Sequence, residues 1–180
     1  MIMELPIKDI KIINIIKEYY KKSGNNRDLL FFLLSINTGL KLNEIANLNV
    51  EDVKDKDFIV VEHCTEKIKK RVPLNDEIKD LIEVVIASRN RKEPLFISGK
   101  GNRIERTTVY RNFKEMCDNL GLDNLSIASL RKTFGYHYYK KTKDLAYLQW
   151  WFNHSSITHT MNYLCIEDDL NFRYDTKFSL

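Results

Sequence analysis

Between residues 8 and 21 the apolar side chains Ile10, Ile13, Ile16 and Tyr20 recur at the spacing of one helical face, and Gly24 supplies a stop. A second helix is predicted over residues 28–37, closed by Thr38-Gly39, and a third starts near Lys41 and carries Ile45 and Leu48. Residues 58–63 are short and β-branched, and residues 71–74 answer them across a polar, basic turn. That pattern predicts a β-hairpin following a strand-like stretch at residues 50–53. Asn75 has the chemistry of a helix N-cap, with Asp76 and Glu77 suited to the first turn of a helix running to about residue 88. Leu95-Phe96-Ile97 is a short extended piece broken by Gly99 and Gly101, and residues 107–119 return to helical spacing before Gly121. From residue 127 to 169 the pattern is a succession of helices, with breaks near residues 141–143 and at Asn153-His154-Ser155-Ser156. The expected fold is mainly α with a small antiparallel β-sheet (α+β), in one domain over residues 1–180.

Composition narrows this picture. The chain has 180 residues, enough for a sizeable core, and its 43% apolar content excludes intrinsic disorder. No apolar run approaches the ~20 residues of a membrane span. The start, Met1-Ile2-Met3-Glu4-Leu5-Pro6, lacks the basic and apolar regions of a secretory signal. Cys64, Cys117 and Cys165 form no Cys-x-x-Cys pair, which argues against a disulfide framework or a structural zinc site and for the reducing cytosol. Lys+Arg exceed Asp+Glu by 29 − 25 = 4, a surplus that permits a polyanionic partner without demanding one. The basic residues gather at 67–71, 89–92, 100–111 and 140–143, while acids such as Glu167, Asp168 and Asp169 lie elsewhere, so one face can be positive.

Four features carry candidate chemistry. Arg131 lies in Leu130-Arg131-Lys132-Thr133-Phe134, His154 follows 23 residues later in His154-Ser155-Ser156-Ile157, and Tyr163 comes 9 further on. Thr38-Gly39-Leu40-Lys41, followed by Glu44, forms a cation-plus-carboxylate turn. In order and spacing these resemble the catalytic domain of the tyrosine recombinase, or phage integrase, family. That pattern runs His-x-x-Arg, then Gly-His about 23 residues on, then Tyr nine residues later. The likeness extends from about Leu29 to Leu164.

The resemblance implies Tyr163 as nucleophile, Arg131 as the second family arginine, His154 as the phosphate-side histidine and Glu44 as support for the first cationic position. The residue types suit the task. A phenol stores a phosphodiester as a covalent ester, a guanidinium clamps the non-bridging oxygens, and a histidine adds a donor or moves a proton. No metal or other cofactor is implied, because cationic side chains take a metal's place. The expected activity is site-specific recombination: DNA is broken and rejoined through a 3′-phosphotyrosyl intermediate.

Three positions depart from the family pattern. Lys41 stands for the first arginine and keeps the charge without the bidentate fork. Ala128 stands for the histidine of His-x-x-Arg. The register of the hairpin lysine falls on Cys64 or Thr65, which leaves Lys67 as the nearest substitute and Lys69 as the next. The same cluster also reads as a solvated basic turn. A lesser departure is Asn153 in place of the glycine before His154. A degenerate relative that only binds DNA is therefore the alternative to an active recombinase, and a topoisomerase-like activity is a third reading.

Double-stranded DNA is the expected partner, met by Lys69, Lys70, Arg71, Arg103, Arg106 and Arg111, with Lys114 on the same helix as Arg111. The resemblance leads to the expectation that the family's N-terminal DNA clamp is absent ahead of this pattern, the chain being either a fragment or a naturally short member. Residues 168–180 resemble the family's C-terminal tail, which often docks on a neighbouring protomer: the resemblance implies self-association on DNA, with Leu170, Phe172 and Phe178 filling a partner's groove, and the alternative is that they fold back on their own core. The expected location is cytoplasmic, at the nucleoid.

Overall fold

Six of the helices begin where a side chain takes up one of their unpaired N–H groups. Asp9 accepts from the Lys11 N–H, Asn25 from Asp28, Asn75 from Ile78, Ser126 from Ala128, Asp144 from Tyr147 and Ser156 from His159. The computed structural model describes residues 4–62 and 69–166. Its elements are α1 (Ile10–Lys22), α2 (Asn26–Thr38), α3 (Leu42–Ala46), β1 (Phe58–Glu62), β2 (Lys69–Pro73), α4 (Asp76–Ile86), α5 (Arg106–Leu120), α6 (Ile127–Thr142), α7 (Leu145–Phe152) and α8 (Ile157–Leu164). Among the described residues this is a mainly helical fold with one two-stranded antiparallel sheet, as the periodicity predicts.

The centre is α2, whose residues Leu29, Leu30, Phe31, Phe32, Leu33 and Leu34 are all buried. A helix apolar on every side has to be covered on every side, and α6, α4, α1 and α3 all pack against it. On the site side, α6, α7 and α8 pack together through a close approach at Gly135. A Cβ there would lie 2.5 Å from Leu164 Cδ2 and 2.8 Å from the Phe152 ring.

Three expectations change. Residues 50–53 form no strand: Val50–Asp52 is a turn of 3-10 helix, and only an isolated bridge joins Asn49 to Pro94. The Asp52 carboxylate, 2.8 Å from the Asn49 N–H, curls the backbone there despite its two valines. Helix α3 stops at Ala46, leaving Leu48 buried beyond its end. Strand β2 starts at Lys69 rather than at residue 71, in a register that sets Ile59 opposite Val72 and Val61 opposite Lys70. Lys67, Cys64 and the tail at residues 167–180 lie outside the described residues. Among the described residues no helix is long and apolar enough to cross a membrane.

Candidate active site

The first wall is made by the end of α2. Gly39 caps that helix in the left-handed conformation at φ 64°, and its position packs so closely on Phe134 that a Cβ would lie 2.2 Å from Cδ1. With the chain turned this way, the Gly39 carbonyl accepts from Arg131 Nε at 2.8 Å. One end of the guanidinium is thereby fixed, and its carbon lies 4.8 Å from the centre of the Phe152 ring. Lys41 follows in extended conformation, its backbone N–H held at 2.6 Å by the Glu44 carboxylate. Glu44 thus supports Lys41 through the backbone, closing the first turn of α3.

Lys41, Lys70 and Arg131 line one narrow cavity, with Glu44, Glu62 and Asn153 around it and Trp151 and Phe152 beneath. Three cations and two carboxylates line or border this one cavity, so its formal charge is positive.

Next to this cavity, beyond Phe152, lie the end of α7 and α8. Asn153 adopts φ 58° as the cap of α7, filling with a non-glycine residue the left-handed place that the family gives to glycine. The chain turns there into His154, whose Nδ1 lies 3.1 Å from Thr160 Oγ1. The Thr160 hydroxyl donates to the Ser156 carbonyl at 3.2 Å, so it accepts from His154. That assigns the proton to Nδ1 and leaves Nε2 with its lone pair free to accept. Burial, then His159, then Arg131 hold the imidazole well below its ordinary value, at about 4. His159 stacks on it at 4.3 Å and 17°. At neutral pH His154 is therefore an uncharged acceptor.

Tyr163 meets the His154 ring edge to face at 4.9 Å and the Phe152 ring at 5.3 Å. Burial pushes its phenol up, Arg131 pulls it down, and Glu4 pushes it up again. The Lys132 ammonium sits 5.1 Å from the centre of the Tyr163 ring and donates to the Glu4 carbonyl at 2.7 Å. Residues 4–8 run along this edge: Ile7 donates to Thr133 Oγ1, its carbonyl pairs with His137 Nε2, and Lys8 reaches the Cys165 carbonyl just past α8.

The structure therefore brings Arg131, His154, Tyr163, Lys41 and Glu44 together around Phe152 and the cavity. Ala128 lies in the first turn of α6, where it offers no side-chain donor. Lys69, Arg71, Arg106 and Arg111 are exposed. Arg103 and Lys70 differ from the expected surface contacts. The guanidinium of Arg103 donates to the carbonyls of Ala46 and Leu48 and to Asn49 Oδ1, at 2.9, 3.1 and 2.6 Å, which ties the loop before α5 to the end of α3. Lys70 is only 6% exposed, and its ammonium donates to the Trp151 carbonyl at 2.9 Å. The signal for Lys70 lay in the alternation of β2, which points Lys70 and Val72 inward and Lys69 and Arg71 outward. Phe152, Lys132 and the Gly39 carbonyl carry no sequence signal of their own. Among the described residues no group of three His, Cys, Asp or Glu side chains converges as a metal ligand set.

The sequence profile of the phage integrase family matches residues 7–169. The chain is 35% identical over 165 residues to the probable integrase/recombinase YoeC of Bacillus subtilis, covering 91% of each. It is 28% identical over 153 residues to tyrosine recombinase XerA of Pyrococcus horikoshii, covering 82% of this chain and 53% of that one. Its fold matches the XerH site-specific recombinase bound to a palindromic difH substrate with a TM-score of 0.71 and 18% identity, over 94% of this chain and 52% of that one. The chain spans about half the length of these two recombinases.

Proposed function

The chain belongs to the phage integrase family, the tyrosine recombinases, and from that premise we propose that it breaks and rejoins double-stranded DNA at specific sites through a covalent bond to Tyr163. The observation that carries this reading is the convergence of Arg131, His154 and Tyr163 on the Phe152 ring, at the mouth of a cavity lined by three cations. A phosphodiester seated at that mouth meets the free N–H groups of Arg131 and the point charge of Lys41. The Tyr163 oxygen attacks phosphorus, its proton passes to an acceptor such as His154 Nε2, and the bond to the 5′-oxygen breaks as that oxygen takes a proton. Lys67 is our candidate for that proton donor. The DNA is left with a 3′-phosphotyrosyl end, and attack by a different 5′-hydroxyl reverses the steps and completes the exchange.

Charge builds on the phosphoryl oxygens during attack, so the fixed guanidinium acts most strongly in the transition state. The high phenol pKa means that Tyr163 stays protonated until a bound phosphate and its surrounding cations make ionisation favourable. Lys69, Arg71, Arg106 and Arg111 contact DNA phosphates in this reading, and the tail at residues 168–180 joins protomers on the DNA. Such an enzyme works at the nucleoid.

Covalent trapping tests the proposal. Protein is mixed with nicked genomic fragments from its source organism, stopped with detergent, and the protein-linked DNA is recovered and sequenced. A 3′-linked adduct that is absent in Tyr163→Phe, with low-salt DNA binding retained, is the expected outcome. Binding without any adduct in the wild type would establish a DNA-binding module instead.

A further inference from the structure

Lys70 is a buried charge that the strand-transfer steps above do not use. A buried ammonium persists only where fixed partners replace its water, and its partners here are specific. The last carbonyls of a helix lack intrahelical donors and carry the negative end of its dipole. In α7 the Trp150 carbonyl takes the Asn153 N–H and the Gln149 carbonyl takes the His154 N–H. Lys70 Nζ donates to the next carbonyl, that of Trp151, at 2.9 Å and approaches that of Trp150 at 3.4 Å. The rings of Trp150 and Trp151 lie 4.3 and 4.6 Å from the same nitrogen. Across the hairpin Lys70 pairs with Val61 of β1, and both line the cavity that holds Lys41 and Arg131.

The hairpin and the end of α7 are thus joined at one atom, three residues before His154 and one before Phe152. We propose that Lys70 is a positioning residue, which locks the end of α7 to the hairpin and so fixes Phe152, against which Arg131 lies, and His154 beyond it. The proposal rests on the strand-transfer reading for its effect on rate, but its structural content stands apart from it. Lys70 neither contacts DNA at the surface nor supplies a proton to the leaving oxygen.

The test compares wild type, Lys70→Met and Lys70→Arg on nicked DNA carrying the sequence recovered by trapping. A second substrate has sulfur in place of the 5′-oxygen at the break, a leaving group that departs without a proton. In parallel, NMR follows the titration of His154. Expected for Lys70→Met are adduct formation slower by about 10- to 100-fold, as for a small misplacement of reacting groups, and DNA binding within about twofold of wild type. The sulfur substrate gives no recovery, and the His154 midpoint rises from about 4 towards its ordinary value as the turn loosens. Lys70→Arg, which keeps donors for the carbonyls, restores both the rate and the titration.

An unchanged rate together with an unchanged His154 titration overturns the proposal. So does recovery on the sulfur substrate, which would make Lys70 the proton donor, or a loss confined to DNA binding. If the wild type forms no adduct, the strand-transfer reading fails and the His154 titration alone decides the placement of the turn. If Lys70→Met does not fold, Lys70→Gln takes its place, with changes in the same direction but smaller.

Discussion

At the scale of single residues, His154 is held in a state that an isolated histidine lacks. Burial, then the neighbouring His159 and Arg131, disfavour its charged form, so it is neutral over a wide range of pH. The folded protein resists protonating it down to about pH 4, whereas an unfolded chain takes that proton near pH 6.5. Its contribution to stability is therefore whole above pH 6.5 and shrinks as pH falls towards 4, below which both states are protonated. We expect the Tm of the wild type to fall across that window, and the fall to be smaller in His154→Gln, as measured by calorimetry at several pH values. Tyr163, His154 and Arg131 were legible in the sequence because their order and intervals are fixed along the chain. The Gly39 carbonyl and the Phe152 ring were not, because a backbone oxygen and an apolar ring become parts of a site only through what folding places beside them.

At the scale of elements, periodicity located the helices well, because apolar spacing and capping side chains agree at most of their ends. It failed at residues 50–53, where a carboxylate bonding back to the chain outweighs β-branched side chains, and at Lys70, where a run of basic residues concealed the alternation of a strand. The packing of α6 on α7 and α8 depends on Gly135, which the sequence shows only as a glycine inside a helix. Filling that contact in Gly135→Ala presses on Leu164 and Phe152, and overpacking of this kind costs about 1–3 kcal/mol. The Tm should drop by roughly 2–4 °C for each kcal/mol in a chain of this size, despite the better helix propensity of alanine. Because Leu164 and Phe152 flank Tyr163, the same substitution should slow adduct formation. Thermal unfolding and covalent trapping read the two effects separately.

At the scale of the whole molecule, a modest surplus of charge is made effective by its placement. Arg106 and Arg111 stand exposed on α5, while Arg103, a few residues earlier, is used to hold the fold. Composition could not separate these roles, since all three arginines belong to one basic stretch. Their substitutions should behave differently. Arg106→Ala and Arg111→Ala should each lower by about one the slope of log affinity for DNA against log salt, as read by fluorescence anisotropy. Arg103→Ala should leave that slope unchanged and lower the Tm, because it strips partners from the Ala46 and Leu48 carbonyls. The ties that assemble the site also have great reach along the chain: Arg131 to Gly39 spans 92 residues, Ile7 to Thr133 spans 126 and Lys8 to Cys165 spans 157. During synthesis, then, none of these three ties can close before α6 has been made, and the last of them waits for the residue just after α8, however early Ile7, Lys8 and Gly39 appear.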